Sequence, residues 1–117
     1  MESPAPVFKK FYTLTNWILD RLERYPRSVR IILADRMGAL CMDILEMIVR
    51  ALYTRERLEL LKELNVQLEL LRIQVRMSKD RQYINVNQYE YCTREINEVG
   101  AMIGGWIKSQ GQGHEKL

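Results

Sequence analysis

The sequence predicts an all-α fold, an antiparallel up-down-up-down four-helix bundle, and three observations predict it. Apolar residues recur at spacings of three and four through most of the chain, polar or proline-containing breaks divide that pattern into four segments, and no stretch alternates with the period of two that a strand needs. A chain of 117 residues with 47% hydrophobic content can build one core, whereas two domains would each be too small to stand alone. Short connections make consecutive helices neighbours, which gives the up-down order.

Each element follows from its own pattern. From Val7 to Arg24, the residues Phe8, Phe11, Thr15, Ile18, Leu22 and Tyr25 form one apolar stripe, and Pro26 ends the helix. The second segment, Arg27 to Tyr53, carries Leu33, Met37, Leu40, Ile44, Ile48, Ala51 and Leu52 on a broad face. Its charges Arg36, Asp43 and Arg50 fall on a narrow opposite strip, so this helix is expected to be buried on most sides. The third, Arg55 to Lys79, has a seam of Leu61, Leu64, Leu68, Leu71 and Val75 among good helix formers. The polar interval 80–87 interrupts the pattern, and Asn87 with Glu90 three residues on resembles a capping box. The fourth helix then presents Tyr89, Cys92, Ile96, Val99, Ile103 and Trp106, with Gly104–Gly105 expected to fray or end it. Residues 1–6 read as a flexible N-terminus, 7–108 as the bundle domain, and 109–117 as a disordered tail of Gly, Gln and charge.

Composition excludes several functions. The single histidine, His114, falls in the predicted tail, so histidine acid–base chemistry and a bundle di-iron site of the Glu-x-x-His kind have no usable ligand. The carboxylates spread over polar helix faces, where pairing with arginine is the ordinary role. No catalytic residue, metal or cofactor is expected. Cys41 and Cys92 have neither zinc-site nor disulfide-framework spacing and read as reduced core thiols, which points to a cytoplasmic location. The start of the chain lacks the pattern of a secretory signal, and charges interrupt every apolar run before it could span a membrane.

A net charge of +3 is too mild to name a partner, but its placement is uneven. Arg21, Arg24, Arg27 and Arg30 recur every three residues across the Pro26 turn, while Arg72, Arg76 and Lys79 share one helix face with Arg81 just beyond. In an up-down bundle both clusters fall at one pole. Guanidinium groups suit phosphate, so the pattern points to an RNA or DNA backbone, against the plainer reading of arginines paired with glutamates or stabilising helix C-termini. Tyr83, in the loop beside the second cluster, is the candidate for stacking on a base, whereas Tyr89 and Trp106 lie on the core stripe.

Apolar surplus is the other feature. Helix 2 is apolar nearly all round, and Leu14, Trp17, Leu60, Val66, Leu70, Ile73 and Met77 lie off the main seams, which favours a second face packed on another copy of the chain.

One family carries these features together. Trp17, the run Arg21-Leu22-Glu23-Arg24-Tyr25-Pro26-Arg27-Ser28-Val29-Arg30, and the long apolar helix containing Asp43-Ile44-Leu45-Glu46 resemble the accessory variability proteins, Avd, of diversity-generating retroelements. The resemblance runs from about Phe8 to Lys108, with the Tyr25–Ser28 turn as its most specific part. The intervening-sequence-encoded ribosomal bundle proteins share the aromatic–Pro turn. The Avd resemblance implies a pentameric, ring-like homo-oligomer of bundles with a positive surface, which binds a reverse transcriptase and its template RNA and supports mutagenic complementary DNA synthesis. Polymerase chemistry then belongs to the partner. The alternative is a module bound to ribosomal RNA or only to protein.

Overall fold

In the computed structural model, which describes residues 5–115 and the side chains up to residue 110, four α-helices form a bundle and no strand occurs among the described residues. They are α1 (Pro6–Leu22), α2 (Asp35–Tyr53), α3 (Leu58–Asp80) and α4 (Val86–Glu115). The molecule measures 53 × 24 × 24 Å, so its length is set by the long helices and its width by two helices side by side. Helix α1 packs on α2 and α4, and α3 packs on the same two, which leaves α1 and α3 at opposite corners.

Helix α1 opens with Pro6, whose missing N–H costs nothing in a first turn. It closes at Leu22 through backbone bonds from Arg24 N to Arg21 O at 3.0 Å and from Tyr25 N to Leu22 O at 3.1 Å. Pro26 then starts a 3-10 turn, Arg27–Val29, followed by a π-helical turn, Arg30–Ala34, before regular α2 begins at Asp35. The expected single helix from Arg27 is therefore three conformations in series. Widening at the π turn buries Leu33 and Ala34 and leaves Ile31 and Ile32 at 77% and 67% exposure.

The turn after α3 is closed by Arg81 N to Met77 O and Tyr83 N to Ser78 O, with Gln82 in the left-handed region at φ 64°. Two residues upstream of the expected capping box, Asn85 Oδ1 accepts from Gln88 N at 2.8 Å while Gln88 Oε1 accepts from Asn85 N at 2.9 Å. The Asn-x-x-Gln pair makes the reciprocal bonds, so Asn87 and Glu90 lie inside the helix as exposed residues.

Helix α4 crosses Gly104–Gly105 and continues past Lys108 to Glu115, which corrects both the expected break and the expected disorder of 109–115. No atom lies within 4 Å of where a Cβ would stand at either glycine, so the pair weakens the helix on its open side without crowding anything. The ends of the chain, 1–4 and 116–117, fall outside the described residues, as does the side chain of His114. Of the predicted flexible N-terminus, Pro6 already belongs to α1.

Leucine, isoleucine, valine and methionine fill the core from all four helices, with Phe11 the only aromatic ring among its largest fully buried side chains. Leu14 belongs to that core with 0% exposure, and Trp17 packs at its edge on Tyr91, so neither is surplus. Burial pushes the thiols of Cys41 and Cys92 up to about 12, and both are free. Among the described residues no helix is long and apolar enough to cross a membrane.

Candidate nucleic-acid interface

Geometry separates the nine residues singled out by charge and spacing into two kinds. The first group surrounds the turn between α1 and α2. Arg24, Arg27 and Arg30 are exposed, and among the described residues none of their side chains has a hydrogen bond or ion pair. Asp20 and Glu23 stand four residues before Arg24 and Arg27, but α1 ends at Leu22 and the 3-10 and π turns follow, so the helical register that would pair them is lost. Beside Arg30 a groove of about 650 Å³ between α1 and α2 also exposes Asp20, Glu23 and Asp35, so the cationic turn has an acidic flank. Arg21 differs from its neighbours. It is half-buried, its guanidinium lies 5.3 Å from the Trp17 ring centre, and its Nε is buried without a hydrogen-bond acceptor.

The second group, at the end of α3, is mostly engaged. Arg72 donates from Nε to Asn97 Oδ1 at 2.9 Å and from Nη1 to Glu69 Oε1 at 3.0 Å, so it ties α3 to α4. A Cβ at Gly100 would stand 2.9 Å from the Arg72 Nη2, and glycine there gives the guanidinium its room. Lys79 pairs with Asp80 at 3.3 Å and lies 4.6 Å from the Tyr89 ring centre. Arg81 donates to the Tyr83 hydroxyl at 2.9 Å and also sits over that ring. Only Arg76 is exposed with a side chain free of hydrogen bonds and ion pairs among the described residues.

Tyr83 packs differently from its expected role as an open stacking platform. Its ring lies 5.3 Å from that of buried Tyr25 at an interplanar angle of 47°, and its edge is half-buried against the core. Burial raises the hydroxyl of Tyr25 above the ordinary tyrosine value, an effect partly offset by a hydrogen bond with Ser78. This contact brings the turn after α1 against the turn after α3, and with it the two cationic clusters. Arg81 joins the turn, while Arg72 lies about 12 Å back along α3 from Asp80, at 1.5 Å per residue.

One participant escapes a reading of the sequence, and another lies at the far end of the arginine run. Asn97, which fixes Arg72, lies on another helix, and no local spacing announces such a partner. Arg36 is exposed at the start of α2 beyond the π turn, also with no side-chain partner among the described residues. It stays on the three-residue period of the arginine run, with Leu33 taking the place between it and Arg30.

Among the described residues no group of His, Cys, Asp or Glu could hold a metal ion. What the arrangement offers chemically is a set of exposed guanidinium groups on the turn between α1 and α2, able to donate to phosphate oxygens. A model of the bAvd-like family matches residues 7–110, a span that begins in α1 and takes in all four helices. No curated protein and no solved structure matches the chain.

Proposed function

The chain belongs to the bAvd-like family, and on that premise we propose that it is a non-catalytic accessory protein of a diversity-generating retroelement, binding the element's reverse transcriptase and template RNA to support mutagenic complementary DNA synthesis. The observation that carries this reading is the family match across residues 7–110. Arginines on the α1–α2 turn without hydrogen bonds or ion pairs among the described residues support the RNA half of it, since their guanidinium donors are free for phosphate oxygens. In this reading phosphate contact falls first to Arg24, Arg27 and Arg30, then to Arg76, Lys79 and Arg81 at the adjoining end of α3. Arg21 and Arg72 contribute field more than contact, and Tyr83 orients Arg81. DNA offers the same backbone chemistry and is a second candidate nucleic acid.

The helices run up-down-up-down in this proposal, with 7–108 as the domain. Meeting of Tyr25 with Tyr83 at one end, and of Arg57 with the Trp106 ring at the other, supports that order. Self-association into a ring-like pentamer in the cytoplasm completes the reading. Its support is exposed apolar surface beyond the bundle's own core, including Tyr12, Met42 and Val49 on α1 and α2.

Purified protein mixed with the reverse transcriptase encoded beside its gene and with that element's template RNA is expected to elute as one complex. RNA bound without the polymerase would favour the ribosomal-RNA reading, and neither bound would overturn both. Light scattering gives the subunit number, and a monomer at all concentrations would remove the ring.

A further inference from the structure

Helix α3 carries an apolar stripe that the bundle does not use. Val66, Leu70, Ile73 and Met77 follow spacings of four, three and four, and each is roughly half exposed, at 52%, 45%, 51% and 46%. The buried residues of the same helix are Leu61, Leu64, Leu68, Leu71, Val75 and Ser78. At 3.6 residues per turn the stripe therefore points away from the core, along the outer corner of the bundle. Such spacing is that of a helix that packs on another helix, and none of the described side chains covers it.

Charges beside the stripe say which helix. Glu59, Glu63 and Glu69 flank its first half, Arg72, Arg76 and Lys79 its second, and Arg81 follows directly after α3. A parallel pair would set acid beside acid and base beside base. An antiparallel pair with Val66 opposite Met77, and Leu70 opposite Ile73, does the reverse. In that register Glu69 meets Arg76, Glu63 meets Arg81 and Lys62 meets Asp80 of a second copy, each pair occurring twice by symmetry. The two residues that depart from the acid-then-base order, Lys62 and Asp80, are thereby matched to each other. These groups are exposed, and their bonds within the chain are short-range ones on α3 and its C-terminal turn: Lys62 with Glu59 at 3.8 Å, Glu63 with Gln67 at 2.9 Å, Glu69 with Arg72, Asp80 with Lys79, and Arg81 with Tyr83. Such exposed bonds re-form at little cost.

We infer that the outer face of α3 is a two-fold contact in which two copies of this chain pair their α3 helices antiparallel. This goes beyond the accessory-protein reading and does not rest on it. The contact uses one identical patch from each copy, so it differs in kind from the head-to-tail contact of a ring and leaves the apolar surface on α1 and α2 available for one. Arg76 and Arg81 face glutamates of the second copy when the pair forms, and the free phosphate-binding set then contracts toward Arg24, Arg27 and Arg30.

Cysteine cross-linking of the full chain tests the register. The double variant Val66→Cys/Met77→Cys is expected to give a covalent dimer on mild oxidation, reversed by a thiol reductant. Either single variant should give little, because each new cysteine then faces an apolar residue. The native Cys41 and Cys92 are buried and do not compete. Both substituted positions are exposed, and unchanged helical circular dichroism controls for folding. Glu69→Arg should weaken association roughly tenfold by light scattering, and adding Arg76→Glu should restore it. Absence of the covalent dimer in the double variant overturns the inference. So does a covalent dimer equally abundant in the single variants, or a Glu69→Arg defect that Arg76→Glu does not repair. A head-to-tail contact through α3 or a foreign partner on α3 would give the first of these results.

Discussion

The turn between α1 and α2 and the end of α3 are both arginine-rich, and they meet through Tyr25 and Tyr83, yet their charges are used differently. On the turn, Arg24, Arg27 and Arg30 bond to nothing within the described chain. On α3, Arg72 holds Asn97, Lys79 holds Asp80, and Arg81 holds Tyr83. Local surroundings make the difference: Arg72 has Glu69 three residues back and Asn97 on the helix beside it, and Lys79 and Arg81 meet acceptors one and two residues on, while Arg76 on the same helix has none among the described residues. On the turn the helix has ended, and the acidic flank of Asp20, Glu23 and Asp35 forms no ion pair with these arginines among the described residues. Equal density of arginine therefore does not mean equal availability to a ligand.

If that distinction holds, replacing both sets should have opposite signatures. The largest effect is expected from Arg24→Glu/Arg27→Glu/Arg30→Glu, which should lower RNA affinity on the order of 10- to 100-fold and flatten the salt dependence by about 0.7 to 0.9 for each phosphate no longer neutralised. Urea unfolding of that variant should shift by no more than about 0.5 kcal/mol per site, since these are exposed residues without partners. Arg72→Ala should do the converse. It removes a charge-assisted bond between α3 and α4 and is expected to cost about 1–2 kcal/mol in urea unfolding, with RNA affinity changed less than in the turn variant. An unfolding midpoint that moves for the turn variant but not for Arg72→Ala would mean that the two regions had been assigned the wrong way round.

A smaller change, about 0.5–1 kcal/mol, is expected for Tyr83→Phe, which keeps the ring on Tyr25 but takes the acceptor from Arg81. Its gain would be a freer Arg81, so RNA affinity should stay level or rise. The smallest effect belongs to a third charged site, on the seam of α1 and α4, where Lys10 Nζ lies 2.6 Å from Glu98 and 3.1 Å from Glu95. Hydrogen bonding to Lys10 holds the Glu98 carboxyl below its ordinary 4.5, and the same bond to Glu98, with Glu95 after it, raises the Lys10 ammonium above 10.5. The carboxylate's contribution is therefore present above 4.5 and fades as pH falls through the depressed value. That of the ammonium is present below 10.5 and is lost as pH rises through the elevated one. NMR titration should place Glu98 below 4.5 in the native chain and return it toward that value in Lys10→Met.

Much of the fold is legible in the sequence because it is written in local periodicity. The seam Leu61, Leu64, Leu68, Leu71 and Val75 is buried as its spacing demands, and Cys92, Ile96, Val99 and Ile103 do the same for α4. Misreadings cluster where two local signals compete. Asn85 and Asn87 are both good caps, each followed three residues later by a residue able to reciprocate, and only the backbone chooses between them. Glycines at 104 and 105 read as a stop, yet a helix already propagating needs more than their weak propensity to end it. At the candidate interface, sequence locates the charge but not its use, because use depends on contacts such as Arg72 with Asn97, 25 residues apart on separate helices. Tyr83 falls in the expected loop, but its partner Tyr25 cannot be read from composition.

The π turn at Arg30–Ala34 acts as a phase setter. A turn with one residue more than its α-helical counterpart rotates everything upstream by about 100° relative to the helix that follows. Here the adjacent pair Leu33 and Ala34 is buried at the junction, between Val29 upstream and Met37, Leu40 and Cys41 downstream. Ile31 and Ile32 are exposed, so replacing them leaves this phase alone, whereas a change in the number of residues between Pro26 and Asp35 shifts it. Losing or gaining one would turn the arginine-bearing turn to a new compass bearing on an otherwise unchanged bundle, so the length of this connection sets where its charges point.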